Sequence, residues 1–436
     1  MGPYRTLYLD MNSFFASVEQ QIDPSICGRP VAITAMENEK GCCVAASYEA
    51  KAYGIKTGTS VADARRMCRD IVFLPSRHRL YVRYNLRVAA VLDRYAELER
   101  IRSVDEFQLG LSGHATKLEG ARDLVTRLKA AVAAEVGECL RFSAGIGPNH
   151  LLAKIAGKLE KPDGCQHLGP DNMPHRLAHL ALDDLPGISR AMSARLQNAG
   201  IHDVPALCRL DPRHARAIWR SVEGERFVRA LQGEAIPLVK TKRGGYGNSK
   251  VLAPAFRAPP EAYLVSRWLV EKAAARLRRD GRVAASFGLQ LSPMGRTTWA
   301  ASMRCAQTQD TLEFLRINRA LWRTAWPVIR RAKLAGIGIH LGDVDLLDAR
   351  TGDLLLPVRP GERTNGERAA RAADFINQRF GAGTITYGIN QPHPGFSSAD
   401  DSINPAYASP LSGSAGPQRR RRRRSRSSGR GVLEDV

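Results

Sequence analysis

A chain of 436 residues is several times longer than a single motif needs, which calls for more than one hydrophobic core. Its composition, 44% hydrophobic, 25% charged and 6% aromatic, is that of folded globular chains and excludes wholesale disorder. Lysine and arginine outnumber aspartate and glutamate by 65 to 43, and the resulting charge of +22 points to a polyanionic partner.

That charge is unevenly placed. Residues 240–340 hold 19 Lys or Arg against 5 acids, and residues 418–436 hold eight Arg against two acids, so the rest of the chain is nearly neutral. Each cation that displaces a condensed counterion from a phosphate gains entropy from ion release, which makes nucleic acid the expected partner. No run approaches the roughly 18 apolar residues of a membrane span. The start MGPYRTLYLD has no basic region followed by an apolar one, so a cytoplasmic location and no membrane partner are expected. Eight cysteines are scattered without a CxxC pair and read as reduced core residues.

In chain order, RTLYLD (5–10) reads as a strand ending in Asp10, and SFFASVEQQ as the helix that follows it. Residues 20–77, with the apolar runs RPVAIT and CCVAAS, form a small subdomain. VDEFQLGL (104–111) alternates as a strand, 116–136 carries Leu118, Ala121, Leu124, Leu128, Val132 and Val136 at helical spacing, and LRFSAGIG (140–147) is another strand. These pieces fit a mixed sheet with helices on one face.

DLPGISRAMSARLQNAGI (184–201) resembles a helix-hairpin-helix, and Gly187, Ile188 and Gly200 are its candidate DNA contacts through main-chain N–H groups. KTKRGGYGNSK (240–250) looks like a linker. Next come an apolar stretch at 251–256, a helix at 261–279, strands at 285–292 and 297–304, a helix at 310–331 and a strand at 334–342, the split βαβ order. Asp310 and Glu313 resemble a capping box. Residues 366–380 suggest a further helix with Ala369, Ala373, Ile376 and Phe380 on one face and Gly381 ending it. From about 391 a Pro-, Ser- and Gly-rich segment with Arg419 to Arg424 reads as a disordered tail, whose arginines suit a DNA tether, an RNA contact or a localisation signal.

Chemistry is expected at Asp10, Asp105 and Glu106, acids at the ends of two strands that can meet on one sheet surface and offer oxygen ligands to two Mg²⁺ ions. With YLDMNSFFASVEQ, AASYEAKAYGIKTG (45–58), SVDEFQLGL, SAGIGPNHLLAKIAGKLEKPDG (143–164) and AGIGIHLGDV (335–344) in this order, the chain resembles the Y-family translesion DNA polymerases, the UmuC-like branch first and DinB more distantly.

The resemblance implies an α+β multidomain fold. It comprises a palm (1–19 and 78–168) with a mixed sheet, small fingers (20–77), a helical thumb (169–235), a linker (236–247), a split βαβ little finger (248–345), an extension (346–390) and the tail (391–436). It implies metal binding by Asp10, Asp105, Glu106 and the main chain at Met11, a steric gate at Phe15 with Phe14 left to the core, and triphosphate contacts from Tyr48, Lys51 and Lys161. The implied partners are primer-template DNA and deoxynucleoside triphosphates, with a UmuD-like or recombinase-filament partner left open. Three departures stand out: Ala45 in place of a threonine, Lys51 in place of an arginine, both expected to weaken nucleotide binding, and Asn12 in place of a second acid. Where a sliding-clamp motif is expected the chain has TGDLLLPV (351–358), without glutamine or aromatic, so clamp docking there is doubtful. The rival reading is a catalytically inactive DNA-binding scaffold, which would not need the acid trio that this chain keeps.

Overall fold

The structure is a computed structural model that describes residues 4–35, 41–237, 243–350, 362–390 and 392. The region TGDLLLPV and the tail with Arg419 to Arg424 lie outside the described residues. The chain divides into two compact units, one of residues 4–12 and 79–234, the other of 13–78 and the described residues from 235 onward. Among the described residues no helix is long and apolar enough to cross a membrane.

Strand β1 (Thr6–Met11) opens the first unit. The second unit begins with α1 (Phe14–Ile22), β2 (Val31–Thr34), β3 (Cys43–Ala46), α2 (Tyr48–Ala52), α3 (Val61–Met67) and β4 (Val72–Pro75). The chain returns to the first unit through α4 (His78–Leu92), β5 (Leu98–Ile101), β6 (Glu106–Gly110), α5 (Leu118–Glu135), β7 (Phe142–Gly147), α6 (His150–Leu159) and β8 (Cys165–His167). Four short helices follow, α7 (Arg190–Asn198), α8 (Val204–Arg209), α9 (Pro212–Trp219) and α10 (Val222–Leu231). The second unit is completed by β9 (Gly245–Val251), α11 (Pro259–Arg279), β10 (Arg282–Pro293), β11 (Trp299–Thr308), α12 (Thr311–Ile329), β12 (Leu334–Leu346) and α13 (Glu362–Phe380).

In the first unit a mixed sheet runs β5-β6-β1-β7-β8, with β1 antiparallel to both neighbours and β7 parallel to β8. Alternation puts Leu7, Leu9, Phe107, Phe142 and Ile146 on one fully buried face and Tyr8, Asp10 and Glu106 on the other. Helices cover both faces, not one as the strand and helix pattern suggested. Lys129 of α5 lies 5.9 Å from the Phe142 ring, whereas α6 lies against Gly145 and Gly147 on the acid-bearing side. Glycine makes that second approach feasible: a Cβ on Gly145 would stand 1.9 Å from the Ala153 carbonyl oxygen.

The smaller part of the second unit is a three-stranded sheet, β3-β2-β4, cored by Ala32, Cys43, Ala46, Ala50, Ile55 and Ala64. Small side chains dominate because the strands are only four residues long and the helices lie close. Cys43 and Cys68 are buried as expected, but Cys27 and Cys42 are exposed, so not every cysteine is a core residue.

The larger part is the β-α-β-β-α-β arrangement, with an antiparallel sheet in the order β11-β10-β12-β9. Helices α11 and α12 cover one face through Leu269, Ala273, Leu277, Phe314, Leu321 and Ile329. Its first strand lies inside the stretch that composition marked as linker, and residues 254–256 form a 3₁₀ turn instead. Polar side chains hid the strand: Tyr246, Asn248 and Lys250 are the buried alternates, and Asn248 Nδ2 donates to the Leu269 carbonyl at 3.1 Å. Asp310 does cap α12, accepting from Leu312 N at 2.9 Å, but Glu313 turns to Arg316 at 3.1 Å and closes no capping box.

Helix α13 is fixed to this domain by polar contacts. Arg278 makes a two-pronged bond to Asp374 at 2.6 and 2.8 Å, and Arg267 ties down the segment after the helix by donating to the Ile389 carbonyl at 2.8 Å. Its buried face carries Glu367, Ala370 and Ala373, whereas Phe380, expected inward, is 67% exposed. Gly366 explains the shift, since a Cβ there would stand 2.2 Å from Asp310 Oδ2, so this side of the helix is the one that approaches.

Candidate active site

The antiparallel pairing of β1 with β6 sets Asp10 directly opposite Glu106, which puts both carboxylates on the same face. Asp105 precedes β6. Met11 N donates to the Asp105 carbonyl at 2.9 Å, and buried Asn85 of α4 donates to the Val104 carbonyl at 2.8 Å, so main chain and helix together fix this corner. The Ser103 hydroxyl donates to Asp105 Oδ1.

Two lysines serve the acids. Lys161 Nζ lies 2.6 Å from Asp10 Oδ2, and Lys154 Nζ lies 2.6 Å from Glu106 Oε1 and 3.1 Å from the Tyr8 hydroxyl. Burial raises the Glu106 carboxyl, but the hydrogen bond and charge of Lys154 outweigh it and hold the group below the ordinary range. Asp105 moves the other way. Burial pushes its carboxyl up, the Ser103 hydrogen bond pulls it down, and the charges of Asp10 and Glu106 push it up again, for a net rise. On α6, burial and the charge of Lys154 lower Lys158, and burial followed by Arg102 and Lys154 pushes His150 down to about 4.

Among the described residues no three His, Cys, Asp or Glu side chains are gathered closely enough to hold a metal ion. The expected trio shares one corner, but Asp10 and Glu106 are each turned to an ammonium and not to a common centre. The donor set nevertheless fits a hard divalent cation. All its side-chain donors are oxygens, and the Asp105 carboxyl, raised by burial first and then by the charges of Asp10 and Glu106, stands beside like charges that a cation would relieve.

The second unit carries Phe15, Tyr48 and Lys51. Phe14 is 3% exposed and belongs to the core, whereas Phe15 is half-buried against Ala16, Ile26, Val31 and Ile33. Ser47 caps α2 by accepting from Ala50 N at 3.3 Å, which sets Tyr48 and Lys51 on the first turns. Lys51 Nζ lies 4.2 Å from the Tyr48 ring centre and donates to Ser13 Oγ at 2.8 Å. Ala45 packs against the same apolar cluster as Phe15.

Gly187 and Gly200 both have positive φ, 95° and 82°, and Ile188 is buried. A 3₁₀ turn at Leu182–Asp184, not an α-helix, precedes Gly187, and α7 starts from a Ser189 cap. Ile188 is therefore an anchor for the turn, and the hairpin lacks a full first helix.

Lys154, Lys158 and Tyr8 were missed in the sequence. Lys154, Lys158 and Lys161 recur at intervals of four and three, the spacing of one helix face, and that signal was available. Asn12, where a second acid was expected, is buried; it donates to Ser143 Oγ at 3.1 Å and accepts from Asp163 N at 2.8 Å.

The impB/mucB/samB family profile matches residues 9–158, and the family's C-terminal domain matches 243–354. DNA polymerase IV of Moorella thermoacetica is 32% identical over 394 residues, covering 87% of this chain and 94% of that protein. The polymerase IV of Pelotomaculum thermopropionicum is 28% identical over 393 residues, with 88% and 94% covered. Among solved structures, a Y-family DNA polymerase chimera of Dbh and Dpo4 has a TM-score of 0.66 at 19% identity and covers 78% of this chain and 99% of that one, a likeness of fold. The relatives named here are polymerases IV, and the UmuC-like branch gains nothing from them. With both family domains in order and a relative at 32% identity along nearly its whole length, the chain belongs to the Y family of translesion DNA polymerases.

Proposed function

We propose that the chain is a low-fidelity, template-directed DNA polymerase that adds deoxynucleotides opposite damaged bases. The observation that supports it most is the pairing of Asp10 with Glu106 across β1 and β6, with Asp105 at the same corner under the repulsion of both. An inactive scaffold would need neither. In this reading Asp10, Asp105, Glu106 and the main chain at Met11 hold two Mg²⁺ ions, which supply activation of the primer 3′-hydroxyl and neutralisation of the triphosphate.

The chain's own residues do the rest. Lys154 keeps Glu106 ionised, and Lys161 holds Asp10 in an ion pair, until substrate arrives. Tyr48, Lys51 and Lys161 hold triphosphate oxygens, and the Phe15 ring excludes a ribose 2′-hydroxyl by collision. Gly187 contributes its main-chain amide to a DNA phosphate, whereas the amides of Gly200 and Ile188 are already given to the Gln197 and Leu185 carbonyls at 3.0 and 3.1 Å.

The open face of the four-stranded sheet is the proposed seat for the DNA duplex. It forms a trough of about 510 Å³ lined by Gly247, Ser249, Gly288, Gln290, Ser302 and Gly338. Packing does not demand glycine there, since a Cβ on Gly288 or Gly338 would meet only ordinary contacts at 3.8 and 3.6 Å. Close approach of another molecule gives such glycines a purpose.

Primer extension by the full chain with Mg²⁺ on undamaged and abasic templates tests the proposal. Incorporation on both is expected, and none on either template refutes it. The proposed setting is the cytoplasm.

A further inference from the structure

The sheet trough uses one side of the C-terminal domain, but most of its arginines lie on the other. Helix α12 buries Phe314, Ile317, Leu321, Ala325 and Ile329 against the sheet. Arg316, Arg319, Arg323, Trp326 and Arg330 are all exposed. Their spacing of three, four, three and four residues is that of one helix face, so they form a single row about 21 Å long pointing away from the sheet.

Two features mark this row as more than a solvated helix face. Residues 311–333 contain six basic residues and a single acid, Glu313, which pairs with Arg316 at 3.1 Å. Among the described residues Arg319, Arg323 and Arg330 form no ion pair. Within the row stands Trp326, 45% exposed, with Arg323 one turn before it and Arg330 one turn after. Cations alone would suit any polyanion. A flat, exposed indole between them adds a stacking surface for an unpaired base, which a duplex keeps inside its stack.

We propose that the Arg316–Arg330 row of α12 is a second nucleic-acid site, which binds single-stranded DNA by phosphate contacts from the arginines and base stacking on Trp326. The proposal rests on the polymerase reading only in that a template strand is the single strand at hand.

Affinity of the full chain for primer-template DNA, by fluorescence anisotropy, tests it. The two substrates carry template overhangs of about two and about twenty nucleotides, the longer one within reach of a single-strand site. The wild type is expected to bind the long overhang at least about tenfold more tightly. Arg319→Ala with Arg323→Ala should abolish that gain, Trp326→Ala should remove a large part of it, and all variants should keep wild-type affinity for the short overhang and wild-type melting. A gain that survives in the arginine variant overturns the proposal. So does a gain that Trp326→Ala leaves whole, because the row would then be reading charge alone, as a duplex or an acidic peptide would. A wild-type chain that fails to bind or extend the short-overhang substrate refutes the polymerase reading instead.

Discussion

Asp10 and Glu106 are register partners across β1 and β6, yet each is held by its own lysine at 2.6 Å, Asp10 by Lys161 and Glu106 by Lys154. Each of these two acids answers a separate ammonium, so the corner is crowded with carboxylates without being gathered into one centre. Lys154→Met removes the group that holds Glu106 below its ordinary range against burial. Activity should fall about 10–100-fold, as for loss of a partner that orients a metal ligand. The acidic limb of the kcat/KM profile should also move to higher pH. An unshifted limb would show that Lys154 does not govern Glu106.

Asp105 carries the opposite shift. Because catalysis needs its ionised form, activity should fall on acidification while an exposed aspartate would still be charged. For stability the sign reverses. A raised folded-state value means that the folded chain holds the proton more tightly than the unfolded chain, so this group's favourable contribution is present at low pH and lost as pH rises through that value. Asp105→Asn should therefore raise the Tm of the metal-free protein at neutral pH while removing activity. A lower Tm there would show that the carboxylate is stabilising as it stands.

Gly145→Ala and Gly338→Val separate the two uses of glycine. At Gly145 the added Cβ meets the main chain of α6, and the displaced helix carries Lys154, so stability should drop by about 2–3 kcal/mol and activity with it. At Gly338 an added Cβ would meet nothing nearer than 3.6 Å, so stability in denaturant should not fall by more than about 0.5 kcal/mol. DNA affinity should nonetheless weaken. A Gly338→Val protein that binds DNA as tightly as the wild type would remove the trough from the account.

How far the sequence revealed this molecule depended on whether apolar periodicity and position coincided. Strand β1 and its Asp10 were legible because Leu7, Tyr8 and Leu9 make a short apolar run that ends at the acid, and the β-α-β-β-α-β order because Phe287, Leu289 and Leu291 alternate cleanly. Strand β9 was not, because its inward residues include Asn248 and Lys250, whose polar groups find partners that no local pattern announces. Helix α13 was found and Ala373 does face inward, but the face is rotated from the expected one, since Glu367 and Asp374, both charged, pair with Arg350 and the buried Arg278 while Phe375 and Phe380 face water. In the candidate site the acids stood out by motif, whereas Lys154, although spaced with Lys158 and Lys161 for one helix face, gains its role only from the tertiary contact that brings α6 over Glu106.

Helix α13 is held by ion pairs more than by apolar area, so its removal should be felt in the C-terminal domain. Asp374→Ala leaves Arg278, whose side chain is 4% exposed, without its carboxylate. The cost should be about 2–3 kcal/mol, somewhat below that of a fully buried pair because Asp374 is partly solvated. Urea melting of the full chain checks it, and a change under about 0.5 kcal/mol would show α13 to be an appendage.

Single-turnover incorporation of one deoxynucleotide by Asp105→Ala combined with Glu106→Ala, on saturating primer-template with Mg²⁺, bears most directly on the acids as the catalytic centre. The expected result is a loss of at least about a thousandfold, the several kcal/mol that metal-assisted charge stabilisation supplies, with DNA affinity kept within a few-fold of wild type. Incorporation at a rate near wild type would contradict the assignment and move the chemistry elsewhere in the chain.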